Sequence, residues 1–549
     1  MSHVQVSSTA LFVTIDLTSR RARRVKCDES KPRCKRCQKY GATCGGYYSS
    51  ARCISPKLVT ITPVILPKGC APIPNLSKIP PLFKMSSSPR FRDEEESRYF
   101  QIYREEMAVH ITGPFTSSLW GRLIPQASEM EPFVRHAVIA LGAMAKQKHA
   151  PSFVKASDST YALKQYDESL KRMRQAIKER DHDIRKALIA CLLVFCFESL
   201  QGNLELAVSH AESGLMLFYQ FVSKYEPEPT PYTPIKILEK RMLEGDLIHA
   251  YAGLDLHVMF FRDTRPEWIH RKFVTHLNTR IERMPLMIQD AREAREYWFL
   301  IVRRNHHFLK IVKQQTQNCP SGDEEDTAEA SHQNMECMMT SPGKPPEELK
   351  EEYYGYTYDM QRWADACSSL FKSFRESGTR SEKLLVDILC MHTKVTNIIL
   401  KEVFFSSELD YDNFLPDFSR ILSLARIVQP QLLAAAEGSA GFHYGYGVNY
   451  PLFLVGMRCR DIGVRDEAIR LLGSRDHREG TWDAKSLAAI AGWVRDIELA
   501  GIGPGCFIPK EERVFLTSCN MDLRARKAFI RAGQQKEVGL VFRKALITW

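Results

Sequence analysis

Four cysteines constrain this chain more than anything else in it. Cys27, Cys34, Cys37 and Cys44 follow the spacing C-x6-C-x2-C-x6-C within RRARRVKCDESKPRCKRCQKYGATC. Thiolates bind zinc tetrahedrally, and a C-x-x-C pair puts two sulfurs on one metal from a single tight turn. Pro32 and Gly41 suit the turns of such a knot. A peptide this short cannot bury enough apolar surface to hold a shape, so bound metal would supply its folding free energy. The same stretch is strongly basic. Arg20, Arg21, Arg23, Arg24, Lys26, Lys31, Arg33, Lys35, Arg36 and Lys39 face only Asp28 and Glu29, a local net charge of +8 out of +11 for the whole chain. Charge concentrated in this way points to a polyanion partner. The run ahead of Cys27 reads as a short helix beside the metal, able to offer cations to a major groove and to phosphates. It also suits nuclear import.

The redox setting agrees. MSHVQVSSTALFVTIDLTS has no basic leader before its apolar part and makes a poor secretion signal, so an intracellular chain with reduced thiols is expected. The most apolar run, Ala187 to Leu200, is one short helix long and carries Glu198, which argues for a core helix rather than a membrane span. The chain has 549 residues, 44% hydrophobic and 26% charged, enough for a core of useful size.

Four stretches follow one another. Residues 1–19 are an atypical N-terminus and 20–45 the cysteine segment. Residues 46–92, with prolines from Pro56 to Pro89 and Ser86-Ser87-Ser88, read as a flexible linker. From 93 to 549 helical periodicity takes over. Ser128 and Glu131 have capping-box spacing ahead of Val134, Ala137, Val138, Leu141 and Ala145. Leu163, Tyr166, Leu170, Met173 and Ile177 form one stripe, and Leu384, Ile388, Met391, Val395 and Ile398 another. Thr233-Pro234 starts a helix, Gly202 stops one and Asn203 can cap the next. Alternating strand patterns are confined to ALFVTIDL and KLVTITPVIL, outside this body, which is therefore expected to be all-helical. A polar, acidic stretch near 316–350 reads as a disordered insertion. The fold class expected is mainly α: a small cysteine-rich zinc-binding module, a flexible linker and a large all-helical domain. No heptad seam predicts dimerisation.

RARRVKCDESKPRCKRCQKYGATC resembles the second two-thirds of the fungal zinc binuclear cluster, whose pattern is C-x2-C-x6-C, a loop, then C-x2-C-x6-C around two zinc ions. The resemblance implies that Cys27 ligates one zinc, Cys34 bridges both, and Cys37 and Cys44 complete the other. It places Arg23 and Arg24 where family members read CGG-type triplets, and makes Arg21 and Lys26 phosphate contacts. The first two cysteines of the pattern should fall at Leu17 and Arg20. Each metal therefore lacks at least one ligand. Either a different N-terminal segment supplies the missing pair or the cluster is degenerate. A single zinc on the four cysteines would need a rearranged loop, and neither Cys53 nor Cys70 has the family spacing.

EPFVRHAVIALGAMA (131–145), LIACLLVFCFESLQGNLELAVSHAESGLMLF (188–218) and the stretch from Cys459 to Glu498 resemble the regulatory domain that follows such clusters. They imply a helical domain tuned by effectors or other proteins. Read as residues, they are mostly core. Glu198 inside an apolar run needs a partner, with Arg135 and His136 as candidates. Arg478 and Glu479 before Trp482 suggest a buried ion pair or a helix cap, and Cys191 and Cys196 read as small core residues. His306-His307 read as surface histidines, and with His443 they are weak metal candidates; GFHYGYG (441–447) reads as a loop between helices. No H-E-x-x-H, G-x-S-x-G or phosphate-loop motif is present, so no enzyme is expected.

The function expected is that of a zinc-dependent, DNA-binding, RNA polymerase II-specific transcription factor in the nucleus. Its partner is double-stranded DNA, with a homodimer or transcriptional co-regulators left open and no membrane role. Its cofactor is zinc, up to two ions in an intact cluster. The alternative is a helical modulator protein that does not bind DNA.

Overall fold

The structure is a computed structural model. It divides the chain into two compact units, 1–79 and 80–549. The residues described are 91–113, 117–147, 152–178, 183–225, 245–261, 263–317, 347–435, 441–500, 502–503 and 506–549, all in the second unit. Both alternating stretches named above, the Thr233-Pro234 helix start and most of 316–350 lie outside them.

The body opens with α1 (Glu94–Ile102), which runs through a π-helical turn into α2 (Ala108–Thr112). A second π turn leads to α3 (Ile124–Met130), then α4 (Pro132–Gln147) and α5 (Ser152–Lys178). Next come α6 (Ile184–Gln201), α7 (Leu204–Tyr225), α8 (Gly245–Phe261), α9 (Glu267–Ile281) and α10 (Ala291–Gln317). The long α11 (Glu348–Ser377) and α12 (Arg380–Glu402) precede α13 (Leu415–Ala435), β1 (Phe442–His443), α14 (Asn449–Arg458) and α15 (Ile462–Gly473). The chain continues through β2 (Arg478–Glu479), β3 (Trp482–Asp483) and α16 (Ala484–Leu499) to β4 (Val514–Asp522), β5 (Lys527–Lys536) and β6 (Gly539–Thr548).

Local chemistry sets many helix ends. Thr379 and Glu382 make a reciprocal capping box at the start of α12. The stripe predicted on α12 is buried at Ile388, Met391, Val395 and Ile398, with Leu384 half-buried at its edge. Gly202 stops α6 in the left-handed region at φ 83, as expected. The Ser128–Glu131 box does not form. Ser128 lies buried inside α3 and donates back to the Pro125 carbonyl at 2.6 Å, while Glu131, in extended conformation, starts α4 through its own carbonyl. Pro132 after it makes a good first helical residue.

The Ala187–Leu200 run lies on α6, which is buried from Leu188 through Ser199 except at half-buried Cys191, and α8 is buried from Ala250 through Phe261. Helices enclosed on all sides show no apolar stripe. Among the described residues no helix is long and apolar enough to cross a membrane.

The mainly α class holds, and the structure adds two sheets where only helices were expected. β1 pairs parallel with β2, and β2 antiparallel with β3, a short ledge that seats His443 beside Glu479 in register. β4, β5 and β6 form an antiparallel meander with a bulge between Leu516 and Ser518. Its core side is built from Val514, Leu516, Cys519, Ala528, Ile530 and Ala532, while β6 is largely exposed.

The packing of α4 on α1 is closest at Gly142, where a Cβ would overlap the backbone carbonyl of Tyr99 and crowd the Tyr103 nitrogen. Backbone cannot step aside as a flexible side chain can. Gly142→Ala is expected to cost about 1–3 kcal/mol in denaturant unfolding. Gly121→Ala, where a Cβ meets open space, should be neutral or slightly stabilising.

Candidate functional site

The residues singled out for metal and DNA, Cys27, Cys34, Cys37, Cys44, Arg21, Arg23, Arg24 and Lys26, lie outside the described residues. Within the body, polar chemistry gathers at three buried carboxylates.

The first is Asp255 on α8. It accepts from Arg265 (2.6 Å), Arg303 (2.9 and 3.1 Å), His307 Nε2 (3.1 Å) and the Tyr219 hydroxyl (2.7 Å). Arg265 also forks onto Asp263 with two bonds of 2.7 Å. Burial by itself would push the Asp255 carboxyl up; Arg265, His307 and Arg303 outweigh it and hold it well below the usual range. The two guanidinium groups balance Asp255 and Asp263. His270 and His307, both shifted down by burial, complete the group through a 2.9 Å Nδ1···Nδ1 contact, and His270 Nε2 faces the Arg265 carbonyl at 3.2 Å. His306 and His307 are thus core residues, not the surface pair expected. His306 bonds the Val302 carbonyl at 2.8 Å.

The second is Glu498 on α16. It accepts from Arg460 (2.7 Å), Arg465 (2.6 Å) and the Val514 amide (2.7 Å), tying α15 and β4 to one point.

The third is Glu479 on β2. Its carboxylate takes the N–H groups of Gly447 (3.0 Å), Val448 (2.8 Å) and Asn449 (3.0 Å) at the start of α14. The cap reading of the Arg478-Glu479 pair is therefore right for Glu479, and it reaches across about thirty residues. Arg478 pairs with Asp483 at 3.1 Å and donates to the Ser199 carbonyl. Burial would raise Glu479; His443, His477 and the Asn449 amide bring it below its ordinary value. His443 Nε2 and His477 Nε2 stand 3.6 and 3.9 Å from Glu479 Oε1. A cavity of about 360 Å³ adjoins them, lined in part by His110, Gly113, Arg380, Gln431, His443 and His477.

Glu198 is buried as expected but is not satisfied by Arg135 or His136. The Tyr166 hydroxyl (2.5 Å) and the Asn203 amide (2.6 Å) bond it, and His136 turns to Gln165 at 2.6 Å. Neutral donors suffice because Asn203, expected only as a cap, reaches back over the end of α6. Cys196 is buried and Cys191 half-buried, with burial pushing the Cys191 thiol up to about 11.

Residues 21–52 match the fungal Zn(2)-Cys(6) binuclear cluster domain, and residues 98–276 match the fungal specific transcription factor domain. The chain thus carries a segment similar to the first kind ahead of a helical body whose first part is similar to the second, the arrangement of a fungal zinc-cluster transcription regulator. Among curated proteins the chain is similar to the aspercryptin biosynthesis cluster-specific transcription regulator atnN of Emericella nidulans, 28% identical over 254 residues, 41% of this chain and 39% of that protein. It is similar as well to the transcription regulator lscL of Purpureocillium lilacinum, 26% identical over 217 residues, 38% of this chain and 49% of that one. The chain spans less than half the length of these relatives. No solved structure matches it. The cluster match begins at residue 21, just downstream of Leu17 and Arg20. Four thiolates equal the donor count of one tetrahedral zinc and fall short of the six that two zinc ions share.

The buried histidines give the body a pH signature. Burial brings His257 and His306 down to about 4. An unfolded histidine titrates near about 6.5. As pH falls below that value the unfolded chain binds protons that the folded one refuses. Stability is therefore full above about pH 6.5 and lost toward pH 4. Asp263, held at about 2, adds a further loss as pH falls below the usual carboxylate range. The melting temperature should decline across that window, and His257→Asn should flatten the decline between pH 6.5 and 4.

Proposed function

We propose that the chain is a zinc-dependent DNA-binding regulator of RNA polymerase II promoters, acting in the nucleus. The observation that carries this reading is the overlap of the cluster match, 21–52, with the local charge of +8 between residues 20 and 39. Zinc bound by Cys27, Cys34, Cys37 and Cys44 would supply the folding free energy that so short a segment lacks. The chain's own residues do the rest. Arg23 and Arg24 read guanines of a CGG-type triplet through paired N–H donors, and Arg21 and Lys26 grip phosphates. A triplet carries little information, so a second half-site, on a homodimer or a partner protein, is part of the proposal. The named relative that regulates a biosynthesis cluster makes such clusters the first place to look for target promoters.

Leu17 and Arg20 in place of the first cysteine pair favour a second reading: a modulator protein that keeps the helical body and does not bind DNA. Titration with CGG-containing duplexes separates the two. On the favoured reading the affinity falls steeply with salt and is abolished by a zinc chelator. Arg23→Ala or Arg24→Ala then costs about 1–3 kcal/mol on the CGG duplex and much less on a scrambled one. An equal loss on both duplexes would reduce these arginines to phosphate contacts. No binding at any salt, with zinc supplied, would leave the modulator.

A further inference from the structure

We propose that His443, His477 and Glu479 form a second metal site, in the helical body, for a divalent transition-metal cation of the zinc class. Among the described residues this cluster brings three metal-donor side chains together, one ligand atom of each lying within 4.8 Å of the others. The three come from short, well-fixed segments: His443 and Glu479 are register partners on β1 and β2, and His477 immediately precedes β2.

The distances decide between a proton and a cation. At 3.6 and 3.9 Å from Glu479 Oε1, the two Nε2 atoms are too far for hydrogen bonds. Donors about 2.0–2.2 Å from a common tetrahedral ion sit roughly 3.3–3.6 Å apart, so a small closure of the triangle would seat one. His443 is 4% exposed, and neither of its ring nitrogens meets a hydrogen-bond partner. A buried imidazole left in that state costs stability. A bound cation would satisfy it.

Glu479 is held as a metal-ligating carboxylate should be. The amides of Gly447, Val448 and Asn449 fix its plane and still leave Oε1 facing the histidines. Its capping of α14 explains the carboxylate. It does not explain two buried imidazoles drawn up to one of its oxygens. Two nitrogens and one oxygen suit zinc, cobalt or nickel better than calcium or magnesium. The adjoining cavity of about 360 Å³, lined by both histidines, offers an entry path and room for a water or an anionic group as fourth ligand. The amides draw charge from the carboxylate, so the ion is expected to exchange. It would pin β1 and β2 together, and with them the start of α14.

The test uses the full chain with Cys34→Ser and Cys37→Ser, which removes the cysteine segment as a competing site. Cobalt(II) titration should show one equivalent with d–d bands and no thiolate-to-metal charge transfer. His443→Ala should weaken that binding by about 10–100-fold, with the far-ultraviolet circular dichroism unchanged. Should His443→Ala fail to fold, X-ray absorption of the zinc-loaded double variant decides without it. A nitrogen and oxygen shell with imidazole scattering supports the site, and sulfur in the shell overturns it. Absence of bound cobalt, or binding that ignores His443→Ala in a folded variant, also overturns it.

Discussion

Asp255, on α8, gathers two further helices and the segment leading into α9 onto one side chain. Tyr219 reaches it from α7 and Arg303 and His307 from α10, and Arg265 comes from the segment that leads into α9. Stripping water from a carboxylate costs several kcal/mol, and the ion pairs repay this only with good geometry and every lone pair used. Here Oδ2 takes four hydrogen bonds and Oδ1 one, from Arg265, so the group works as a positional lock more than as a source of net stability. A slip of one residue along α8 would leave a buried charge unpaired. Apolar contacts between helices this uniformly hydrophobic would tolerate such a slip far better.

Glu498 and Glu479 repeat the device. Each is fully buried, and each is met by donors distant in sequence: the Val514 amide at the start of β4 for Glu498, the amides opening α14 for Glu479. The body is thus a set of apolar helices whose mutual positions are specified by three charged points. That arrangement also explains the depressed buried histidines. His257, His306 and His307 line surfaces where the available negative charge is already spoken for by arginine or by backbone amides, so burial decides their ionisation.

What could be read from the chain follows from the range of the interaction involved. The α12 stripe, the Gly202 stop and the buried α6 rest on contacts within a few residues, and periodicity displays them. The β4–β6 meander was hidden because its inward positions include Ala528 and Ala532, small residues that barely register as an alternation, while β6 sits largely in solvent. Its turn uses Arg526 at φ 49, where glycine or asparagine would have been the visible signal. His477 and Glu479 carry no local mark of their closeness to His443. β1 and β2 pair in parallel across 34 intervening residues, and such a pairing leaves no trace in spacing. The cysteine segment is the opposite case. Its four cysteines lie within 18 residues, so their spacing is legible without any coordinates.

On the proposed DNA-binding reading, Leu17 and Arg20 in place of the first cysteine pair would affect one part of binding more than another. Six thiolates around two zinc ions and four around one leave the same formal charge of about −2 on the metal core. The field that ten basic residues present to phosphates is then the same in both arrangements. Phosphate attraction needs charge near the duplex and little more, so the salt-dependent, sequence-tolerant part of binding would survive. Base reading is different. A bidentate arginine must be held to within fractions of an ångström, so on the proposed reading it would depend on how firmly a bound metal fixes the segment carrying Arg23 and Arg24. On that reading loss of the pair would act on selectivity before affinity, and a chain with only Cys27, Cys34, Cys37 and Cys44 would need the proposed second half-site more than an intact relative does.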